Sequence, residues 1–63
     1  MNKMYQFEDC WDFGTLAVYP HGHDNGVRIE VEDEEGNFSA VNLSKHSTLE
    51  LVKCLINLAN GQR

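Results

Sequence analysis

Two histidines and an aspartate lie close together in the stretch YPHGHDNGV, residues 19–27. His21 and His23 flank a single glycine, so a bend could direct both imidazole rings to one metal ion, with Asp24 as a third ligand. A structural zinc site needs four ligands, and such sequences pair two short ligand motifs at a standard separation. The other candidate ligands are isolated in this chain: Cys10, His46 and Cys54. We therefore expect no metal or other cofactor, and keep a small metal-binding domain using His21 and His23 as an alternative.

The same stretch is also typical of a turn between two strands. Pro20 removes a backbone donor and so favours the end of a strand. Gly22 and Gly26 can adopt backbone angles that other residues avoid. Asp24 and Asn25 favour turns because their side chains hydrogen-bond to nearby backbone. Together these residues predict a polar hairpin loop of about six residues.

Catalytic groups are sparse. A nucleophile needs a base within reach and a third group that orients the base. Cys10 or Cys54 could pair with His46, but nothing in the sequence brings them together. We find no glycine-rich phosphate loop, nucleophile elbow or HExxH motif. We therefore expect that the protein is not an enzyme.

The charge of the chain favours a protein partner over nucleic acid. Ten acidic and five basic residues give a formal net charge of −5. Direct binding to nucleic acid or to an anionic membrane normally requires a basic surface, whereas an acidic one suits a basic protein. The acidic residues form two clusters: Glu8, Asp9 and Asp12, and then Glu30, Glu32, Asp33, Glu34 and Glu35. The run at residues 30–35 is either a solvated turn or, as an alternative function, a DNA mimic that inhibits a DNA-binding protein.

The elements that must position these groups follow from hydrophobic periodicity. In GVRIEVED, apolar residues alternate with charged ones, which is typical of a half-buried strand. Short turn-rich connections separate it from similar runs on either side, as in an antiparallel meander. We predict one small α+β domain over residues 1–63, with a three- or four-stranded antiparallel β-meander and one C-terminal amphipathic helix packed on one face. The expected strands cover about 4–7, 13–19, 26–33 and 37–43, and the helix about 45–60.

The closing segment LELVKCLINLA changes to helical period. One broad face of this helix is apolar, and we call it the helix stripe; it consists of Leu51, Val52, Leu55, Leu58 and Ala59, with Leu49 and Ile56 at its margin. Ser44 and Ser47 are alternative N-caps, and Ser47 with Glu50 has the spacing of a capping box. Asn60 and Gly61 predict the C-terminal end.

A single helix covers only one face of a sheet, which leaves the second face for solvent or a partner. By strand alternation that face carries Thr15, Ala17, Tyr19, Arg28, Glu30, Glu32, Phe38 and Ala40. A mixture of aromatic and charged groups is typical of a binding surface. We predict a protein partner of unknown identity, or a homodimer, and the following contact residues: Tyr5, Trp11, Tyr19, Arg28, Glu30, Glu32 and Phe38.

The succession GVRIEVEDEEGN, AVNLS and a leucine-rich closing helix resembles small uncharacterised proteins of bacteria and their phages, over about residues 14–60. The resemblance rests on strand and helix pattern, so it assigns no functional residue. It implies an accessory role, and we predict a small acidic interaction module, such as a phage-type regulator or inhibitor of a host protein.

The opening MNKMYQFED lacks the apolar stretch of a signal peptide, and no run is long enough to span a membrane, so we expect a cytoplasmic protein with reduced thiols.

Overall fold

The computed structural model describes residues 3–61, which form one four-stranded antiparallel sheet followed by one helix. The strands lie in chain order β1-β2-β3-β4 across the sheet. This confirms the predicted α+β class, a β-meander with a C-terminal helix. The elements are β1 Tyr5–Glu8, β2 Thr15–His21, β3 Gly26–Glu32, β4 Phe38–Leu43 and α1 Lys45–Ala59.

The register of the strands sorts the side chains onto two faces. Residues directly opposite each other in an antiparallel pair share a face, and Val18 pairs with both Tyr5 and Ile29. One face, which we call the apolar sheet face, carries Tyr5, Phe7, Leu16, Val18, Pro20, Val27, Ile29, Val31, Ser39, Val41 and Leu43. The other, which we call the polar sheet face, includes Thr15, Ala17, Tyr19, Arg28, Glu30, Glu32, Phe38, Ala40 and Asn42. The alternation expected from the sequence therefore holds for β2, β3 and β4.

The second strand differs from the expectation at both ends. It begins at Thr15, and it continues through Pro20 to His21 instead of ending at the proline. Proline is tolerated there because β1 pairs with β2 only as far as Val18, so Pro20 has no neighbour on that side of the sheet. On its other side Pro20 lies opposite Val27 of β3.

The helix begins and ends at well-defined caps. Ser44 is the N-cap, and its hydroxyl accepts a hydrogen bond of 3.1 Å from the Ser47 backbone N–H. The alternative capping box does not form, because Ser47 lies inside the helix that begins at Lys45. The Glu50 carboxylate instead accepts a hydrogen bond from Lys53. At the other end the backbone N–H of Asn60 donates to the Ile56 carbonyl, and Gly61 has a φ of 78°. At 15 residues α1 is shorter than a bilayer span, and no other helix occurs between residues 3 and 61.

The sheet and helix do not close around a hydrophobic core. Within residues 3–61 only two glycines, Gly14 and Gly26, are buried, and no large apolar side chain is. The helix lies against β3 and β4, with Thr48 and Leu51 half-buried. The rest of the helix stripe stays exposed. The hydrophobic core is therefore incomplete in the single chain.

Candidate interaction surface

Apolar side chains are exposed on both layers of the molecule. On the apolar sheet face, Phe7 is 58% exposed and Val41 is 50% exposed. On α1, Leu55 is 55% exposed and Leu58 is 66% exposed. Soluble monomers rarely leave contiguous apolar surface of this kind open to water, and where it occurs it usually marks an interface.

The amount of exposed surface exceeds what a closed monomer would have. The accessible area is 5513 Å² for a mass of 7.2 kDa. A compact monomer of that mass exposes about 4,100 Å², so the chain has an excess of about 1,400 Å². The radius of gyration of 13.0 Å agrees with this, since a compact chain of this length has about 11 Å. The excess is comparable to what one partner contributes to a stable protein–protein interface.

Between strands β1 and β2 two more aromatic side chains project into solvent. Trp11 is 90% exposed and Phe13 is 88% exposed. The connection is held by Asp9, whose backbone N–H donates to the Gly14 carbonyl at 2.9 Å. The Asp9 carboxylate accepts from the backbone N–H groups of Trp11 and Asp12, which lowers its pKa below the usual value. An ordered turn therefore presents the predicted contact residue Trp11 without covering it.

The polar sheet face carries a connected set of side-chain hydrogen bonds, and Phe38 on the same face is 56% exposed. The Tyr19 hydroxyl donates to the Glu30 carboxylate, and Arg28 Nε donates to the same oxygen at 2.8 Å. Arg28 also donates to the Asn42 side-chain oxygen at 3.2 Å. Three of the predicted contact residues thus bond to one another across β2 and β3.

These hydrogen bonds shift the pKa values of Glu30, Tyr19 and Arg28. Hydrogen bonds from Arg28 and then Tyr19 lower the pKa of Glu30. The bond to Glu30 raises the pKa of Tyr19, because the phenol donates to a carboxylate and would lose that bond on ionising. Glu30 likewise raises the pKa of Arg28. At neutral pH the face therefore holds a charged Glu30–Arg28 pair and a neutral tyrosine.

The two acidic clusters, apart from Glu30, meet at one end of the sheet, which we call the acidic end. They line one open cleft of about 680 Å³ together with the apolar residues Phe7, Leu16 and Val31. Those three residues belong to the apolar sheet face, so the cleft continues that face. The acidic residues that line the cleft are Glu8, Asp9, Asp12, Glu32, Asp33, Glu34 and Glu35.

Asp33 has a structural part in the turn between β3 and β4. Its carboxylate accepts hydrogen bonds from the Asn37 side chain at 2.9 Å and the Asn37 backbone at 2.8 Å. It also accepts from the Glu35 backbone N–H at 2.9 Å. These bonds, led by the Asn37 side chain, lower the pKa of Asp33. Asp33 thus organises the turn, while the carboxylates of Glu34 and Glu35 are exposed to solvent.

The histidine-containing stretch forms a tight hairpin. His21 and Gly26 pair as the last residues of β2 and β3, so the connection has four residues, 22–25, instead of about six. Gly22 and Asn25 take positive φ of 81° and 63°. Gly26 does not take a positive φ, contrary to the expectation; a Cβ there would lie 2.9 Å from the Leu43 carbonyl oxygen, so glycine is needed for space.

The candidate metal ligands are not brought together. Among residues 3–61 no three side chains of His, Cys, Asp or Glu are grouped so that they could share an ion. His21, His23 and Asp24 are exposed on the hairpin. Cys10 and Cys54 are both free and exposed. Cys10 lies in the β1–β2 connection and Cys54 at the margin of the helix stripe.

Many of the exposed large apolar side chains belong to the helix stripe and to the apolar sheet face, whereas the sequence predicts a helix packed on one face of the sheet. Periodicity shows which residues share a face, but it does not show whether the chain can bring the two faces together. One signal was present in the sequence: a single residue, Ser44, separates the β4 pattern from the helix pattern. The predicted contact residue Tyr5 lies on this apolar surface, and Phe38 is on the polar sheet face.

Comparison with known proteins gives no relative from which a site could be transferred: no family model, curated protein or solved structure matches the chain.

Proposed function

We propose that this protein is a small acidic, non-enzymatic interaction module that acts as a regulator or inhibitor by covering its apolar surface with another protein surface. The observation that carries the proposal is the absence of any buried large apolar side chain within residues 3–61. A domain that leaves its helix stripe and its apolar sheet face exposed gains hydrophobic free energy only when a partner covers them.

The charges of the chain give this interaction its selectivity. The acidic end borders the apolar floor formed by Phe7, Leu16 and Val31. Carboxylates around an apolar patch favour a partner with basic groups at matching positions and disfavour acidic surfaces. This arrangement supports selection among partners, while burial of the apolar surface supplies most of the affinity.

A photo-crosslinking experiment tests the proposal in cells. A photoreactive phenylalanine analogue replaces Val41 on the apolar sheet face or, as the matched control, Ala40 on the opposite face of the same strand. We expect the residue at position 41 to form a crosslink to a protein chain, identified by mass spectrometry, and the residue at position 40 to form none above background. Equal yields at positions 40 and 41, or crosslinks only within one chain, would contradict the proposal.

A DNA mimic is the second candidate, because the fold gathers both acidic clusters at one end of the sheet. In this case the partner is a basic DNA-binding groove, with carboxylates in place of phosphates. The test must leave Asp9 and Asp33 unchanged, since their carboxylates hold turns. We expect a variant in which Glu8, Glu34 and Glu35 are replaced by glutamine to lose competition with DNA for its target. Unchanged competition would exclude this function.

A further inference from the structure

One residue connects the sheet to the helix, and this short connection limits where the helix can lie. β4 ends at Leu43 and α1 begins at Lys45, so Ser44 alone joins them. One residue spans at most about 3.6 Å, whereas packed layers lie about 10 Å apart, and strand–helix connections usually have two to six residues. The side chains beside the connection, Thr48 and Leu51, are half-buried, while Leu55 and Leu58 further along the helix are exposed.

The helix stripe and the apolar sheet face are suited to pack against each other. A helix with one apolar stripe and a sheet with one apolar face are the two layers of an α+β domain. In the single chain each layer remains largely uncovered. Two copies related by a two-fold axis can cover both apolar surfaces at once, because the helix of each copy then packs on the sheet of the other.

Charge favours helix-on-sheet contact over contact between like layers. Residues 3–44 contain nine acidic and two basic residues, a formal charge of −7, whereas residues 45–61 contain one acidic and two basic residues, a charge of +1. Two sheets placed face to face would bring two strongly negative units together. A helix placed on a sheet brings a slightly positive unit to a negative one.

We propose that two copies of this chain form a dimer in which the helix stripe of each copy covers the apolar sheet face of the other. This inference rests on the proposed interaction function and names its partner as a second copy. The excess exposed surface of about 1,400 Å² per chain is of the size that a stable dimer buries. Short connections are also known to favour the exchange of an element between copies.

Lengthening the connection tests the exchange directly. A Gly-Ser-Gly-Ser insertion between Leu43 and Ser44 lets the helix reach the sheet of its own chain. We expect the wild type to have twice the chain mass in solution and the inserted variant to have the mass of one chain, with helix and strand content retained by circular dichroism. The same insertion between His23 and Asp24, in the β2–β3 turn, serves as the control and leaves the dimer intact.

Charged substitutions provide the second readout. We expect Val41→Lys and Leu55→Lys to raise the dimer dissociation constant by at least about 100-fold, since each buries two unpaired charges per dimer. Ala40→Lys and Asn57→Lys place the same charge on the opposite faces of the same strand and helix. We expect them to change the dimer dissociation constant by less than about threefold.

Three results would overturn the dimer: a monomeric wild type, an inserted variant that stays dimeric, or equal effects of the four lysine substitutions. A monomeric wild type that crosslinks through position 41 to a different protein would overturn only the dimer and would leave the proposed function standing. A monomeric wild type that forms no crosslink to another protein through position 41 would contradict both the dimer and the proposed function.

Discussion

At the scale of single residues, the carboxylates divide into those that organise the fold and those that remain free to select a partner. Asp9 and Asp33 accept backbone hydrogen bonds within their own turns, and Glu30 accepts from Arg28 and Tyr19. Each of these three groups has a lowered pKa for that reason. A sequence composed of many acidic residues gives no indication of this division, because it depends on which donors the turns and the register bring close.

The lowered pKa of Asp33 predicts a pH-dependent contribution to stability. A carboxyl group whose folded pKa lies below its unfolded value of 3.8 stabilises the folded state above that value, and the contribution is lost as the pH falls through the folded pKa. We expect Asp33→Asn to lower the Tm at neutral pH, because its amide would face the Asn37 amide, donor against donor. The difference from wild type should shrink as the pH falls below about 4 and through the lowered pKa of Asp33.

Thermal unfolding followed by circular dichroism across this pH range measures the difference. Glu34→Gln is the matched control in the same turn, since the Glu34 carboxylate accepts no hydrogen bond within residues 3–61, and it should leave the Tm nearly unchanged at every pH. A difference between wild type and Asp33→Asn that is constant from neutral to acidic pH would be inconsistent with this role.

The raised pKa of Tyr19 predicts a loss of stability at alkaline pH. Its pKa is raised above 10.0, so the neutral phenol stabilises the folded state below that pH, and the contribution is lost as the pH rises through the higher folded value. We expect wild type to lose stability above about pH 10 more steeply than Tyr19→Phe, which has no proton to release. Urea unfolding of both proteins at neutral and alkaline pH measures this, and parallel pH profiles would refute the assignment.

At the scale of elements, strands and helix were largely predictable, whereas the connections were not. Alternation in GVRIEVED correctly sorted β3 into two faces, and helical periodicity located α1. The sequence left Ser44 and Ser47 as alternative caps, and the structure selects Ser44. Pro20 was misleading, because a proline ends a strand only where both sides of that strand are paired, and β1 stops at Val18. Register is a property of two strands together, so a rule applied to one strand could not reveal it.

The cap makes a prediction for the helix. Ser44→Ala removes the oxygen that accepts from the Ser47 N–H, and we expect it to cost about 1 kcal/mol of unfolding free energy. Ser47→Ala is the matched control, since its hydroxyl is not the cap, and it should cost little. Urea denaturation at one fixed protein concentration compares the two, because the stability of a dimer depends on concentration. Equal costs would show that Ser44 does not act as the cap.

The two free thiols report on which parts of the surface become covered. Cys54 lies at the margin of the helix stripe, whereas Cys10 lies in the exposed β1–β2 connection. We expect alkylation of Cys54 to slow as protein concentration rises through the dimer dissociation constant, while the rate at Cys10 stays constant. Mass spectrometry of quenched samples gives both rates from one protein. Alkylation rates that do not depend on concentration at either thiol would mean that the margin of the helix stripe is not covered by a second copy.

At the scale of the whole molecule, the chain contains both layers of an α+β domain, but the contact of the helix with β3 and β4 buries no large apolar side chain within residues 3–61. Its surface area and its radius of gyration both exceed those of a compact chain of its size. Sequence patterning predicted the layers correctly, because each depends on local periodicity. It did not predict that most of the helix stripe would stay exposed, which we infer depends on the reach of the single residue Ser44.

The mass of the unmodified protein in solution shows whether two copies cover each other's apolar surfaces. Size-exclusion chromatography with light scattering, over protein concentrations on the order of 1 to 100 µM, covers the range in which a stable dimer forms. We expect twice the chain mass of 7.2 kDa, falling toward one chain mass only where the protein also begins to unfold. A particle of 7.2 kDa that unfolds cooperatively, with a Tm independent of concentration, would contradict it.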